Sequence, residues 1–524
     1  MTSARSALAP AEVIVEPPTS DLNPASLSEP ARGGSPSGVT DVLLTTEGTY
    51  PFATGGVSTW AQQLISGLSE VRFSVYAVVA NTNASVRYPA PPNLESVIHV
   101  PLWGTEDTSE FSPQPGWVRR RSAQPGRRFA LDFLPAYEEL VISVALGGGG
   151  PDRLVAALSA LADYSERYSL KYALRDGRTW RLFRDTLAAH PLYRRLSTYE
   201  AVDLARSVYR YLAPVDYPAR VPQVVHASAA AFCAIPAVLL RRRHNVPYVL
   251  TEHGVYYPER LIALGRRLGD SPYRVFLTNF YGAVVAMAYA EADVIAPVAH
   301  FNAAWESELG VDPAKIVPVP NGVDPDHFPL VRTAGSGDGP LTLVAVARLE
   351  RLKDIHTLLR AFSIVRGRLP DIRLRIYGPE SDPAYARSCY ALAEQLELGE
   401  RCTFEGSTSD VGGALSEGDI AVLSSISEGF PFAAVEALMA GRPMVATEVG
   451  GVAEVVRLPY GILVPPGRPL EMADAIMALA SDRTALCRLG EQARKAMLDA
   501  YTLDVFLDRH RALYDEAVRR VEGG

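Results

Sequence analysis

The sequence is poor in the features that mark exported, membrane-spanning or metal-binding proteins. Its 524 residues include four cysteines, Cys233, Cys389, Cys402 and Cys487, which lie far apart and form neither a CxxC pair nor a zinc-type spacing. No stretch approaches the roughly 20 apolar residues that cross a bilayer, and the N-terminus lacks the apolar core of a signal peptide. We therefore expect unpaired thiols, no bound metal or cofactor, and a reducing, cytoplasmic setting.

A basic excess is also missing. The formal net charge is −8 and the isoelectric point is about 5.7, whereas a general nucleic-acid-binding protein carries a basic face. Hydrophobic residues make up 48% of the chain, enough for two or three domains with full cores. Residues 1–38 are rich in Pro, Ser, Ala and Gly and contain no aromatic residue, a composition that predicts a disordered tail.

The stretch with the most chemical information begins with a short apolar run, Ile420–Leu423, which predicts a buried strand. Pro431 suits the first position of a helix, because the N–H that proline lacks would be unpaired there. Residues 433–440 are good helix formers, and Gly441 is a natural stop. The pattern predicts a strand, a short loop and a helix.

Two acids lie on this loop and helix. Glu428 is at the mouth of the predicted helix, and Glu436 follows about two turns in. Free N–H groups at a helix start bind phosphate, whereas an acid beside them can accept hydrogen bonds from neutral hydroxyls. The second acid suits a hydroxyl pair such as that of a ribose. Together these groups describe a nucleotide-sugar, and we expect Gly429 and Phe430 to line its site.

The spacing of Glu428 and Glu436 resembles the E-x7-E motif of retaining glycosyltransferases with the two-domain B-type fold, especially glycosyltransferase family 4. Residues 47–58, after the first predicted strand, read EGTYPFATGGVS. This loop resembles that of the branch of family 4 that includes the cytoplasmic glycosyltransferase of Pel-type exopolysaccharide synthesis. In the family the glycine loop faces the donor phosphates, and the resemblance implies that role for Gly55 and Gly56.

Two cations fit the same resemblance. Arg348 and Lys353 lie on a predicted strand-to-helix connection, where a pair of cations can neutralise a diphosphate. Their spacing matches the phosphate-binding pair of the family, which implies a catalytic role for both. Arg351, between them, is expected to be solvated. Asp354 occupies a position where many relatives have glycine.

A histidine loop completes the set. His253 follows the predicted strand 247–251, at the end where open parallel sheets bind ligands. Its Thr-Glu-His-Gly context resembles the active-site histidine loop of the family, which implies that His253 orients donor or acceptor hydroxyls. His226 has a similar position in a weaker context, so a structural role is favoured. Arg260 is expected either to meet an anionic group or to pair with an acid.

Alternating strand and helix patterns predict an α/β fold in which two Rossmann-like domains face a cleft. The first domain spans residues 39–331, with a mostly helical insertion from about residue 102 to 218 that serves either as an acceptor or partner surface or as a structural elaboration. A Gly- and Ser-rich linker, residues 332–340, leads to a nucleotide-sugar-binding domain at residues 341–500. A last helix, residues 503–521, is expected to cross back to the first domain.

The resemblance implies a retaining hexosyltransferase that uses a nucleoside-diphosphate sugar, UDP by family habit, and a glycan or other hydroxyl acceptor. Exopolysaccharide synthesis is the expected context, with a membrane-bound polysaccharide synthase as a candidate partner. Without an assured protein nucleophile, we expect front-face attack assisted by the leaving phosphate. Two alternatives stay open: a non-catalytic nucleotide- or glycan-binding scaffold of a synthase, and an enzyme with another leaving group, as in a phosphorylase or a sucrose synthase-like reaction.

Overall fold

The computed structural model describes residues 38–81, 83–103, 126–147, 150–215, 220–268, 271–330 and 339–523. The predicted tail, apart from residue 38, and most of the predicted linker lie outside the described residues. Within these ranges no helix has the length and apolar composition needed to cross a membrane. All four cysteines are free thiols, and only Cys487 among them is partly exposed.

In the first domain, described parallel strands form a six-stranded sheet in the order β3-β2-β1-β4-β5-β6. The strands are β1 Asp41–Glu47, β2 Arg72–Asn81, β3 Leu94–Trp103, β4 Val224–Ala227, β5 Tyr248–Glu252 and β6 Val294–Pro297. The apolar residues of β4 and β5 are fully buried, because helices cover both faces of a parallel sheet.

In the second domain, the described strands again form a six-stranded parallel sheet, in the order β12-β11-β10-β7-β8-β9. The strands are β7 Thr342–Val346, β8 Arg373–Tyr377, β9 Cys402–Gly406, β10 Ile420–Leu423, β11 Met444–Thr447 and β12 Gly461–Val464. Counted within each domain, both sheets have the order 3-2-1-4-5-6 of dinucleotide-binding folds. The order reverses between β1 and β4 in one sheet and between β7 and β10 in the other, and ligands bind at such points.

Helices cover both sheets. Those of the first domain with six or more residues are α1 Gly56–Gly67, α2 Leu134–Leu146, α3 Gly150–Ser165, α4 Leu170–Arg175, α5 Gly177–Ala189, α6 Thr198–Tyr211, α7 Ala234–His244, α8 Tyr256–Leu268, α9 Pro272–Glu291 and α10 His300–Glu308. Those that follow are α11 Ile355–Arg368, α12 Pro383–Gln395, α13 Val411–Ser416, α14 Phe432–Met439, α15 Val452–Val455, α16 Pro469–Ala480, α17 Arg483–Ala500 and α18 Leu503–Glu522.

The inserted helices α2–α6 pack against the body of the first domain. Phe133 and Leu140 of this insertion share one buried cluster with Phe276 of α9 and Leu239 of α7. This apolar interface orders the insertion on one face of the first sheet.

Helix α18 packs on the first domain, although it follows the second in sequence. Phe506 and Leu507 share a core with Trp60 and Leu64 of α1. The chain enters α18 beside Val323, whose N–H donates to the Tyr501 carbonyl at 2.9 Å and whose carbonyl accepts from Leu503 N–H at 2.9 Å. The crossing segment is therefore hydrogen-bonded to the first domain.

Some predicted element ends are wrong, and some elements were not predicted. Helix α1 begins at Gly56, because Gly55, with φ of 155°, turns the chain directly into the helix. Pro431 is the N-cap residue of α14 and not its first helical residue, because its ψ of 88° is not helical. Strand β3 and helices α8, α9, α12, α13 and α15 were not predicted.

Candidate active site

The loops that follow β7 and β10 lie against each other, because these strands are neighbours in the second sheet. The Ser424 hydroxyl donates to the Lys353 carbonyl at 2.8 Å. The Ile426 N–H donates to the Leu352 carbonyl at 2.9 Å. These bonds join the loop that carries Lys353 to the loop that carries Glu428.

The side chains of Lys353 and Glu428 form an ion pair across these loops. Lys353 Nζ lies 2.5 Å from Glu428 Oε1, and the two side chains are 18% and 11% exposed. The Ser425 hydroxyl donates to the same oxygen at 2.5 Å. Among the described residues, Glu428 Oε2 has no hydrogen-bond partner. An ammonium group has three N–H donors, so Lys353 keeps donors for an anion while Glu428 keeps an acceptor for hydroxyls.

The other cations of this connection differ in exposure. Arg348 Nη2 lies 2.9 Å from Glu350 Oε1, with the arginine side chain 51% exposed. Arg351 is 72% exposed and 3.8 Å from Asp382. Asp354 caps α11 in the left-handed region, with φ of 40°. Glycine adopts this region freely and aspartate tolerates it, so the left-handed conformation is compatible with the aspartate at this position.

The two domains touch through backbone at this site. A Cβ added to Gly429 would lie 1.8 Å from the His253 carbonyl oxygen, so this approach requires glycine. A Cβ on Gly56 would lie 3.5 Å from the Phe432 ring, whereas one on Gly55 would meet no atom within 4 Å. The glycine, histidine and acid loops that were predicted separately therefore lie together at the domain boundary.

The His253 ring packs edge-on against Trp60, with ring centroids 4.7 Å apart. Burial, and secondarily the neighbouring His510, lowers the pKa of His253 to about 3. The imidazole is therefore neutral near pH 7. Its Nε2 is buried without a hydrogen-bond partner among the described residues, and a neutral imidazole nitrogen can donate to or accept from a substrate hydroxyl.

His226 occupies a different environment. Its side chain is fully buried, with Nδ1 3.0 Å from the Tyr514 hydroxyl and Nε2 2.8 Å from the Thr251 hydroxyl. Burial lowers its pKa well below the usual value. Because both ring nitrogens are engaged, His226 links β4 and β5 to α18.

Arg260 pairs loosely with an acid and an aromatic ring. Its guanidinium lies 3.8 Å from Glu47 and 4.7 Å from the centroid of the Tyr256 ring. Glu47 also accepts from Phe232 N–H at 2.8 Å. Burial raises the pKa of Glu47, against the opposing effect of Arg260. Sequence reasoning did not assign a role to Glu47, although its position directly after β1 was a signal.

The remaining predicted residues lie on or just before α14. Burial raises the pKa of the Glu436 carboxyl to about 7, and no described residue donates a hydrogen bond to it. Phe430 is 7% exposed and lies with its ring centroid 5.8 Å from that of Tyr501. The Phe430 side chain thus packs in a buried cluster that contains residues of both domains, among them Ala299 and Val435.

Two family models match the chain. The model described as "Domain of unknown function (DUF3492)" matches residues 40–314, more than half of the chain. The model described as "Glycosyl transferases group 1" matches residues 331–496.

Relatives and solved structures extend these matches. The chain is 23% identical over 248 residues to N-acetyl-alpha-D-glucosaminyl L-malate synthase of Bacillus anthracis, an alignment that covers 46% of this chain and 64% of that protein. Sucrose-phosphate synthase from Thermosynechococcus elongatus superimposes with a TM-score of 0.56 at 18% identity, over 90% of this chain and 98% of that one. Anabaena Alr3699/HepE, in complex with UDP and glucose, gives 0.54 at 13% identity, over 89% and 97% of the two chains.

The structural matches confirm the predicted fold of two parallel-sheet domains, the B-type fold of glycosyltransferases. The family matches divide the chain as the sheets do, with one model on each domain. The chain belongs to the DUF3492 family, and its second domain is a glycosyl transferases group 1 domain.

Proposed function

We propose that the protein is a retaining glycosyltransferase of family 4, which moves a hexose-type sugar from a nucleoside-diphosphate sugar to a glycan or other hydroxyl acceptor. The observation that carries the proposal is the Lys353–Glu428 pair, with 2.5 Å between Nζ and Oε1. The pair lies on the loops after β7 and β10, where the strand order of the second sheet reverses and parallel sheets bind ligands. The glycosyl transferases group 1 match of this domain supports the same activity.

The first task of the site is to stabilise the leaving group. When the bond between sugar and diphosphate breaks, negative charge grows on the departing phosphate. Lys353, Arg348 and the N–H groups at the start of α14 can stabilise that charge, and groups held in place before the reaction do so most effectively. Gly55 and Gly56 have no side chains, so they let phosphate approach the N-terminal end of α1.

The second task is to orient the sugars. Glu428 binds donor-sugar hydroxyls through Oε2, because Oε1 is engaged by Lys353 and Ser425. The resemblance of its loop to the active-site histidine loop of the family supports a role for His253 in orienting a donor or acceptor hydroxyl. Glu436 binds the ribose hydroxyl pair. Closure of the two domains excludes water, so that the sugar passes to the acceptor and not to solvent.

We infer front-face attack with retention of configuration. Glu428 is assigned to hydroxyl binding through Oε2, with Oε1 held by Lys353 and Ser425, and no side chain is assigned as a nucleophile. The acceptor oxygen forms its bond to the anomeric carbon on the face from which the phosphate leaves. The acceptor proton passes to an oxygen of the leaving phosphate, so no protein base is required.

We infer a UDP-sugar as the donor and exopolysaccharide synthesis as the context. The complex of the Anabaena protein with UDP and glucose supports UDP. The loop EGTYPFATGGVS, similar to that of the Pel-type branch, supports exopolysaccharide synthesis. A cytoplasmic location and a membrane-bound polysaccharide synthase partner belong to the same proposal.

The test is release of nucleoside diphosphate from a panel of UDP-, GDP- and ADP-sugars. Lys353→Ala is expected to lower kcat by about 10²–10³-fold, the usual effect of removing one preorganised charge-stabilising group. Arg351→Ala is the matched control, because it removes a cation from the same connection at an exposed position. Glu428→Gln is expected to lower release from the same donor.

Release from one donor that is lost in Lys353→Ala and Glu428→Gln but kept in Arg351→Ala supports the proposal and identifies the nucleotide. Binding of UDP without release from any donor, even with oligosaccharide acceptors present, would favour the scaffold alternative. Release of inorganic phosphate in place of a nucleoside diphosphate would favour a phosphorylase-type reaction.

A further inference from the structure

Glu454 joins the second domain to a helix of the first. It lies on α15, and its carboxylate accepts from His300 N–H at 2.9 Å through Oε2 and from Phe301 N–H at 2.8 Å through Oε1. His300 and Phe301 are the first residues of α10. The N-cap residue of α10, Ala299, has no side chain that could accept these bonds. The second domain therefore supplies the cap of a first-domain helix.

The segment that carries Glu454 is fixed from a second direction. The Tyr501 hydroxyl donates to the Glu454 carbonyl at 3.2 Å. Tyr501 itself accepts from Val323 N–H at 2.9 Å, at the point where the chain crosses between the domains. The Glu454 carboxylate is thus held toward α10 and its two oxygens are used by α10 amides.

The same segment borders the acid loop. Gly451 N–H donates to the Gly429 carbonyl at 3.1 Å. On the other side of Gly429 lies the histidine loop: a Cβ added to Gly429 would be 1.8 Å from the His253 carbonyl oxygen. The backbone next to Glu428 is therefore held between Gly451 and the histidine loop. Because Glu454 is only three residues beyond Gly451, its bonds to α10 fix the distance between the acid and histidine loops.

We propose that Glu454 is a positioning residue, which holds the domains in the closed arrangement that sets Glu428 opposite His253. A carboxylate at a helix start gains from two N–H bonds and from the positive end of the helix dipole. This gain exists only while the domains are together, so its loss shifts the population toward separated domains. The catalytic consequence rests on the proposed glycosyl transfer, whereas the closure itself does not.

The test compares Glu454→Ala and Glu454→Gln with Glu471→Ala. Glu471 is a matched control, because it is an exposed acid in the first turn of its own helix, α16. We expect Glu454→Ala to lower kcat for UDP release by about tenfold, the effect of losing one helix cap. Glu454→Gln keeps one carbonyl acceptor and loses the charge, so its kcat is expected between those of Glu454→Ala and wild type.

Binding of UDP separates positioning from general structural support. Apart from the glycine loop of the first domain, the groups proposed to bind the nucleotide lie in the second domain, so the calorimetric Kd for UDP is expected to change much less than kcat in Glu454→Ala. A parallel loss of UDP affinity and kcat in Glu454→Ala would overturn the proposal, and so would an unchanged kcat. Glu471→Ala is expected to match wild type in both measurements.

Small-angle X-ray scattering with UDP present tests whether the two domains stay closed, and this test does not depend on turnover. A larger radius of gyration in Glu454→Ala than in wild type and Glu471→Ala supports the proposal, and equal radii overturn it. If wild type releases no nucleoside diphosphate from any donor, the proposed function fails, and the scattering comparison alone decides the role of Glu454.

Discussion

Replacing Gly429 by alanine tests whether the backbone contact between the two domains is required for the reaction. The added carbon would lie 1.8 Å from the His253 carbonyl oxygen and 3.0 Å from the carbonyl carbon. Non-bonded heavy atoms pack at about 3.5 Å, so the acid and histidine loops must separate by more than about 1 Å. A misplacement of about 1 Å lowers reaction rates by about 10²-fold, and overpacking costs about 1–3 kcal/mol.

The assay is kcat/KM for nucleoside diphosphate release, with thermal unfolding measured in parallel. Gly367→Ala is the matched control, because its added carbon on α11 meets no atom within 4 Å. We expect Gly429→Ala to lose about 10²-fold in kcat/KM and Gly367→Ala to lose none. If Gly429→Ala keeps the wild-type kcat/KM, closure of the two loops is not needed for catalysis and the reasoning is refuted.

Three further predictions follow from buried titratable groups. Glu306 is fully buried without hydrogen-bond partners among the described residues, and burial, then the Glu252 carboxylate, raises its pKa well above the usual value of a glutamate. The protonated Glu306 carboxyl therefore contributes fully to folding stability below the usual pKa of a glutamate, and this contribution is lost as the pH rises toward the raised pKa. The difference in melting temperature in favour of Glu306→Gln should therefore increase as the pH rises above about 5. Because the pKa of Glu436 is about 7, affinity for UDP should rise roughly tenfold from about pH 6 to about pH 8 as the carboxylate ionises, and Glu436→Gln should remove that slope. His226→Ala breaks the link to Tyr514 and should lower the free energy of unfolding by about 2–4 kcal/mol in urea titrations.

Each of these predictions has an outcome that contradicts it. A constant melting-temperature difference between Glu306→Gln and wild type across pH would mean that Glu306 has no raised pKa. A UDP affinity with the same pH slope in Glu436→Gln would assign the slope to another group. For His226, the control is His327→Ala, because the His327 side chain is 77% exposed; equal effects of the two substitutions would contradict a structural role for His226.

Local signals explain which elements could be predicted from sequence. Helices α11 and α16 each begin at a signal that is present in the local sequence. Asp354 caps α11 by accepting from Thr357 N–H at 3.3 Å, and Pro469 begins α16. Strand β3 could not be predicted, because its burial depends on pairing with β2 and not on an apolar run of its own.

The sequence predicted different roles for the two histidines, but the contacts of His226 could not be predicted from it. His253 and His226 both follow buried strand residues, and only the fold shows that both His226 nitrogens are engaged, by Tyr514 and Thr251. Tyr514 lies 288 residues away in sequence, on α18. No local pattern around His226 carries that information.

The sequence by itself determined the α/β class, the presence of two sheets and the residue types at the ends of their strands, because side-chain periodicity and helix caps act within a few residues. Only the tertiary structure decided that Lys353 and Glu428, 75 residues apart, form one ion pair, and that Glu454 caps a helix of the other domain. These contacts depend on the shared strand order of the two sheets and on the close approach of glycine backbones. Such long-range geometry is set by the packing of whole domains and produces no periodic pattern in the sequence.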